Sequence, residues 1–483
     1  MFRARFFQAI LILIPVCLLG WLFVQNFIPS GSFTAGRTVN QTSSFVDAFV
    51  PQERVLEIKK NAEGEWVQTL VADPVFFFVH PHRTFDTVEA TIRFKNAGTP
   101  IVEFGALATK NPDRYMLEPL QNLIIDASSW TKILDGDMML LQRKAVYTSV
   151  SDFLARPPAR AEVATYHTDL TVPFRLPGYV ASKSMQTLAV SLRGAQVMKT
   201  YAKNEPLEFV FTYSDMNRDA GADPVILSIT DENGQHIFYE KREDDGVITS
   251  TGRSTGQKTL HVKTVIVPEG VYRIDLQVNR DIFVRSIQTP QQKLVFLNGV
   301  YLGDEVGFQD SFEPVTFFTE SKRLSMQTRH AESVQNIAVG SGSLEIKAPY
   351  ELTTLFVTDP GLVSGRVTKG DVEILSDAPM AFSPAQFFRP DATRLLPHTD
   401  LDQLKINYIL AKYTPPTVMD GWSVATVSFD ARSILLENGN WKFIFSLPEI
   451  AEFASSVDVR EVSFEMKRAP MLWYQKLFGN KAP

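Results

Sequence analysis

The sequence predicts a mainly β protein: an N-terminal transmembrane helix followed by about three antiparallel β-sandwich domains of jelly-roll or immunoglobulin-like type. Three observations carry that expectation. Phenylalanine is abundant, 35 residues against 13 tyrosines, and aromatic side chains suit pleated, half-buried surfaces. Apolar and polar residues alternate with period two in many short runs. Between the runs lie Gly, Pro, Asn and Asp turns, with no sustained 3.6-residue period.

The first apolar stretch, Phe6 to Val24, holds Gln8 as its one strongly polar side chain. At about 19 residues it approaches the roughly 20 that cross a hydrocarbon core as a helix. Arg3 and Arg5 precede it and the next basic residue is Arg37. The positive-inside bias therefore keeps the N-terminus cytoplasmic and places the body outside, at a cell membrane, with the bilayer contacted through Phe6 to Val24. Trp21, Phe23 and Phe27 suit an interfacial belt. The competing reading is a secretory signal cleaved near Ser30-Gly31-Ser32, which needs a shorter apolar core. The only cysteine, Cys17, lies in the stretch. No disulfide can form in the rest, which fits an exported protein with cores large enough to need none.

In order, residues 1–29 read as cytoplasmic tip and anchor, and residues 30–44 as a Ser, Thr and Gly-rich spacer. The first sandwich is expected over 45–179. Val88, Ala90, Ile92 and Phe94 alternate there with Glu89, Thr91, Arg93 and Lys95. Asn96 to Pro100 supplies a turn, and Ile101 to Leu107 returns as the second strand of a hairpin. The second sandwich is expected over 180–302. Leu207, Phe209, Phe211 and Tyr213 alternate, and Asn233-Gly234 marks a hairpin between Ile229 and Ile237. The third runs over 303–470, and residues 471–483 form an aromatic tail. No residue-level internal repeat stands out.

A formal charge of −6 and a pI near 5.8 argue against nucleic acid as a partner. The strongest polar constellation follows the strand ending at Tyr213. Asp215, Asn217, Asp219 and Asp223 supply closely spaced oxygens that suit a hard cation such as calcium. The helix-loop-helix calcium pattern would need glycine where Ala220 stands, so the alternative is a loop capping its own backbone. His80 and His82 share a side if extended and form half of a metal shell. Gly252-Arg253-Ser254-Thr255-Gly256 spells a hydrolase elbow but lacks the strand-to-helix context. Glu89 with Glu103, or Asp135 with Asp137, are conceivable glycosidase pairs. Trp66, Trp130, Trp422 and Trp441 are sugar platforms or core residues.

No catalytic set is assigned. The function expected is non-catalytic binding or organisation at the cell envelope, of glycan or of a surface protein, with calcium as the one cofactor suggested. The competing class is a polysaccharide-degrading envelope enzyme on a β-sandwich scaffold. Facing carboxylates in a cleft, one with a raised pKa, would mark that class.

Overall fold

The computed structural model describes residues 13–20, 31–110, 113–244, 246–254, 256–303 and 313–469. The chain is mainly β, built of several antiparallel sheets. It divides into two compact units. The first comprises residues 1–130, 136–139 and 412–483, and the second residues 131–135 and 140–411. The first unit is thus assembled from the two ends of the chain. The expected boundaries at 179 and 302 both fall within the second.

In the first unit, Thr87–Asn96 is the middle of a seven-stranded sheet, paired with Val457–Lys467 on one side and Trp422–Asp430 on the other. Ile101–Thr109 belongs to a five-stranded sheet, between Arg114–Asn122 and Asn440–Ser446. The hairpin expected of these two runs is therefore an arch between sheets. Alternation fixes which face of a strand is wet but says nothing about its partner. The arch is closed locally, because Asn96 Oδ1 accepts from the N–H groups of Gly98 and Thr99. Part of the expected spacer is also ordered: Ser32–Thr38 pairs along Val457–Lys467.

Phenylalanine fills the core between these sheets. Phe104 stacks on Phe443 with centroids 5.5 Å apart and meets Phe445 edge-on at 5.1 Å, and Phe443 lies 4.9 Å from Phe464. All four are fully buried. Offset and edge-on ring pairs add to the area they bury.

The second unit carries a duplication. Its nine-stranded and ten-stranded sheets contain, in chain order, β1 (Leu192–Arg193), β2 (Gln196–Ala202), β3 (Glu205–Asp215), β4 (Val225–Thr230), β5 (His236–Arg242), β6 (Gln257–Val267), β7 (Gly270–Gln277), β8 (Ile282–Thr289) and β9 (Leu294–Phe296). There follow β10 (Gly299–Leu302), β11 (Val315–Thr319), β12 (Arg323–Thr328), β13 (Gln335–Val339), β14 (Gly342–Ile346), β15 (Thr353–Phe356), β16 (Val363–Val367), β17 (Val372–Ser376) and β18 (Met380–Ala381). Read outward from the centre, one sheet runs β1-β8-β3-β6 on one side and β10-β17-β12-β15 on the other. The second runs β9-β2-β7-β4-β5 and β18-β11-β16-β13-β14.

Each strand of the second half therefore takes the place of the strand nine earlier in the first. The halves join where β1 pairs β10 and β9 pairs β18. Within a half, β2 pairs β7, β3 pairs β6 and β4 pairs β5, a folded antiparallel ribbon of jelly-roll kind. One apolar cluster runs through both halves, from Leu188 to Met380. The connection demands glycine at Gly299, where φ is +121° and a Cβ would sit 2.0 Å from the Ile374 carbonyl oxygen.

The expected membrane helix is not found among the described residues. Residues 13–20 are helical with exposed side chains, and this described portion alone is shorter than the roughly 20 residues that cross a hydrocarbon core. No helix among the described residues is long and apolar enough to do so. The remainder of Phe6 to Val24, and the tail 471–483, lie outside the described residues.

Replacing Phe104 by Ala removes a ring in contact with Phe77, Phe429, Phe443, Phe445 and Phe464 and is expected to cost about 3–5 kcal/mol. In urea unfolding followed by separate probes, the first unit's midpoint should fall while the second unit's holds. An unmoved first unit would place its core elsewhere.

Candidate metal centre

Local sequence explains why acids gather at one end of β3. The strand carries alternating apolar residues into the core as far as Tyr213 and then turns polar at Ser214 and Asp215, both buried. Asp215 Oδ1 accepts the N–H of Asn217 at 3.0 Å, which turns the chain, and Asn217 takes a left-handed φ of 45° that asparagine tolerates. The following loop returns at Asp223, just before β4. The hairpin β4–β5 pairs Val225 with Arg242. Two residues outside that pair on either strand stand Asp223 and Asp244, and Asp244 Oδ1 accepts the Asp223 N–H at 3.0 Å.

Asp215, Asp223 and Asp244 each offer a carboxylate oxygen, and these oxygens lie within 4.8 Å of one another. Calcium takes its oxygens at about 2.3–2.6 Å, so ligands across one ion stand up to about 5 Å apart and the spacing fits. Asp215 is 2 % exposed and Asp223 4 %. Burial, and then the negative charges of Asp215, Asp281, Asp244 and Asp219, push the Asp223 carboxyl up to about 6. Among the described residues, Asp223, Asp244 and Asp281 form no ion pair with Lys, Arg or His.

Two further oxygens bear on the fit. Asn217 donates its Nδ2 to the Arg253 carbonyl, leaving its buried Oδ1 with no partner among the described residues. Asp281 Oδ2 accepts the N–H groups of Arg218 and Asp219 at 2.9 and 2.6 Å, while its buried Oδ1 has none. Asn279 Nδ2 donates to Asp223 Oδ1, and Asn279 Oδ1 accepts from the Asp281 N–H. An oxygen-only set of gathered carboxylates, two of them buried and one partly so, is the chemistry of a hard-cation site.

The duplication supplies an internal control. Asp215 lies opposite Ile282 on β8, and Thr328 lies opposite Val372 on β17. Asp281 and Asp371 immediately precede those partners, and both are fully buried. In the second half the buried aspartate is faced by an imidazole, a guanidinium and a phenol, although its Oδ2, like Asp281 Oδ1, accepts no hydrogen bond among the described residues. His330 Nε2 lies 3.0 Å from Asp371 Oδ2 and Arg193 Nη1 lies 3.7 Å from Oδ1, while Tyr301 donates its hydroxyl to Oδ1 at 3.1 Å. The first half has acids at the corresponding place.

Of the residues singled out in the sequence, Asp215 and Asp223 converge and Asn217 adjoins them. Asp219 is exposed and reaches the centre only through its N–H and its field. Asp244 was missed, although a hairpin reading of 225–242 places it opposite Asp223. His80 and His82 are not a ligand pair. His80 spends both ring nitrogens, Nδ1 on Asn440 Oδ1 at 2.6 Å and Nε2 on Asp47 Oδ1 at 2.9 Å. Glu89 and Glu103 stand on different sheets, and Asp135 and Asp137 are exposed. Ser254 sits in an exposed loop and accepts from Gly256. Trp422 is fully buried and donates to Glu65 at 2.7 Å, Trp441 is core, and Trp66 lies beneath Lys60.

No protein-family model and no curated protein matches the chain. Among solved structures, the VP2 subviral particle of infectious bursal disease virus is similar at 10 % identity over 65 % of this chain and 85 % of that one, with a TM-score of 0.18. The Gt strain of that virus gives 7 % identity over 92 % and 82 %, at 0.14. Latent PorU of Porphyromonas gingivalis gives 12 % identity over 64 % and 33 %, at 0.15. Likenesses at these scores bear on nothing further.

Two outcomes follow from this geometry. Calcium at about a hundredfold over its dissociation constant should stabilise the second unit by about 2.7 kcal/mol, seen as a raised Tm. Asp223→Asn should raise the Tm of calcium-free protein, by relieving repulsion, and abolish the calcium shift; a variant that keeps the shift would remove Asp223 from the centre. In the first unit, the hydrogen bond to Asp47 holds the His80 pKa above its usual value, opposed by burial and aided by Asn440. Its stabilisation is complete below the unfolded value of about 6.5 and disappears as pH rises through the folded one. A Tm that declines over that window should lose the decline in Asp47→Asn.

Proposed function

We propose that this chain is a non-catalytic binding protein of the cell envelope, tethered by Phe6 to Val24, with its β body outside the cytoplasm and a calcium ion held by Asp215, Asn217, Asp223 and Asp244. The single observation that carries this reading is the buried carboxylate cluster with two partnerless oxygens beside it. A site with so few protein carboxylates suits the weak, roughly 10⁻⁴–10⁻³ M calcium affinities of extracellular modules. The body's lack of cysteine and the charge asymmetry around the apolar stretch support the same side of the membrane.

The raised Asp223 pKa beside Asp215 is the one feature that favours a glycan-cleaving enzyme. Carboxylates of a glycosidase must flank a sugar in an open cleft. Asp215 and Asp223 are too deeply buried for a sugar ring to pass between them, so the pair fits an ion and not a substrate. Glycan or an envelope protein remains the partner class proposed.

Fractionation tests the placement. The full chain should sediment with membranes, resist high salt, dissolve in detergent, and be digested by protease added outside the cell. Recovery of the intact chain from the cytosol without detergent would falsify the tethered, exported reading.

A further inference from the structure

A cavity of about 480 Å³ opens at the junction of the two halves, between the loop joining β7 to β8, the connection from β9 to β10, and β17. This volume lies within the roughly 300–1,000 Å³ range of small-ligand sites. We propose that it is a pocket for a neutral saccharide and that the cation centre sets the position of its wall, an assignment that rests on the calcium reading above.

The chemistry of the lining selects the ligand. Arg280 Nη2 and Glu373 Oε1 stand 3.8 Å apart across the lining, too far for a hydrogen bond. The Arg280 side chain is 54 % exposed, and Glu373 is anchored through its other oxygen, which accepts from Gln327 Nε2 at 2.6 Å. One donor fork and one acceptor therefore face the same space. A sugar hydroxyl, which accepts and donates at once, bridges such a pair, and a vicinal diol does so twice. Val278, Leu297 and Leu375, none of them buried, supply apolar surface for the C–H face of a ring. Arg280 and Glu373 cancel in charge, and Arg193 is matched by Asp371, so the pocket offers no surplus cation for a uronate or phosphate.

The wall and the cation centre are one piece of chain. Val278, Asn279 and Arg280 line the cavity, while Asn279 Nδ2 donates to Asp223 and the Asp281 carboxylate holds the N–H groups of Arg218 and Asp219. Arg193 Nε fixes the Arg280 carbonyl from the opposite side at 2.7 Å. Without a cation, repulsion among Asp215, Asp223, Asp244 and Asp281 acts directly on the residue pair that positions Arg280.

The test applies the detergent-solubilised full chain, saturated with calcium or stripped by chelator, to an array of neutral and uronate oligosaccharides. A neutral oligosaccharide should be retained, about tenfold or more weakly by Arg280→Ala and by Glu373→Gln, and at least about fivefold more weakly after chelation. Both variants should keep the calcium-induced rise in Tm, which shows that they fold. Protein that shows the calcium rise but retains no neutral sugar, or retains uronates alone, overturns the pocket and leaves the cation centre standing. Retention indifferent to chelation overturns the coupling. Absence of any calcium rise overturns the cation centre and the coupling together.

Discussion

A buried carboxylate must be neutralised, and the second unit meets that demand twice at one position of a repeated fold. Asp281 and Asp371 open equivalent strands and are both fully buried. An isolated ionised carboxylate in such a place costs far more than any single contact returns. The second half answers with His330, Arg193 and the Tyr301 hydroxyl. In the first half, among the described residues, Asp281 accepts hydrogen bonds from backbone N–H groups, and Asp215, Asp223 and Asp244 stand nearby. Carboxylates gather there instead, the arrangement that the proposed cation would neutralise.

The duplication explains why the two solutions lie so close together. Its halves share both sheets through β1 with β10 and β9 with β18, so neither half presents a free edge at the junction. Unpaired edges invite association with other chains. Fusing the halves edge to edge removes these liabilities and brings loops of both halves together at the ends of the joined strands. Arg193 at the end of β1 belongs to that seam: it pairs with Asp371 of one half and holds the Arg280 carbonyl of the other.

The strands were legible in the sequence because burial on one face writes a period of two into the residues, as in Val88 to Lys95 and Leu207 to Tyr213. Their partners were not. Thr87–Asn96 joins Val457–Lys467 from the far end of the chain, and nothing in the alternation encodes so long a return. The duplication was hidden for a related reason: β3 and β12 need only be apolar inward, so Phe211 and Tyr213 serve in one and Leu324 and Met326 in the other. Likewise Asp215, Asn217 and Asp223 were visible because one loop carries them. Asp244, Asn279 and Asp281 arrive from other strands, and only pairing reveals them. Asp219 had the right spacing, yet the turn at Asn217 leaves its side chain in solvent.

The core of the second unit lies away from the candidate cation centre. It is one apolar cluster spanning both halves, and burial of such surface at about 25 cal/mol per Å² dominates any single site. The second half forms the same ribbon with no carboxylate at the Thr328 position. The proposed cation would therefore act on the loops at the strand ends, where Asn217, Asn279 and Asp281 lie. A structural metal closes a fold that cannot close alone. Here the fold is closed already, and the centre's remaining capacity is to choose the position of the segment from Val278 to Asp281.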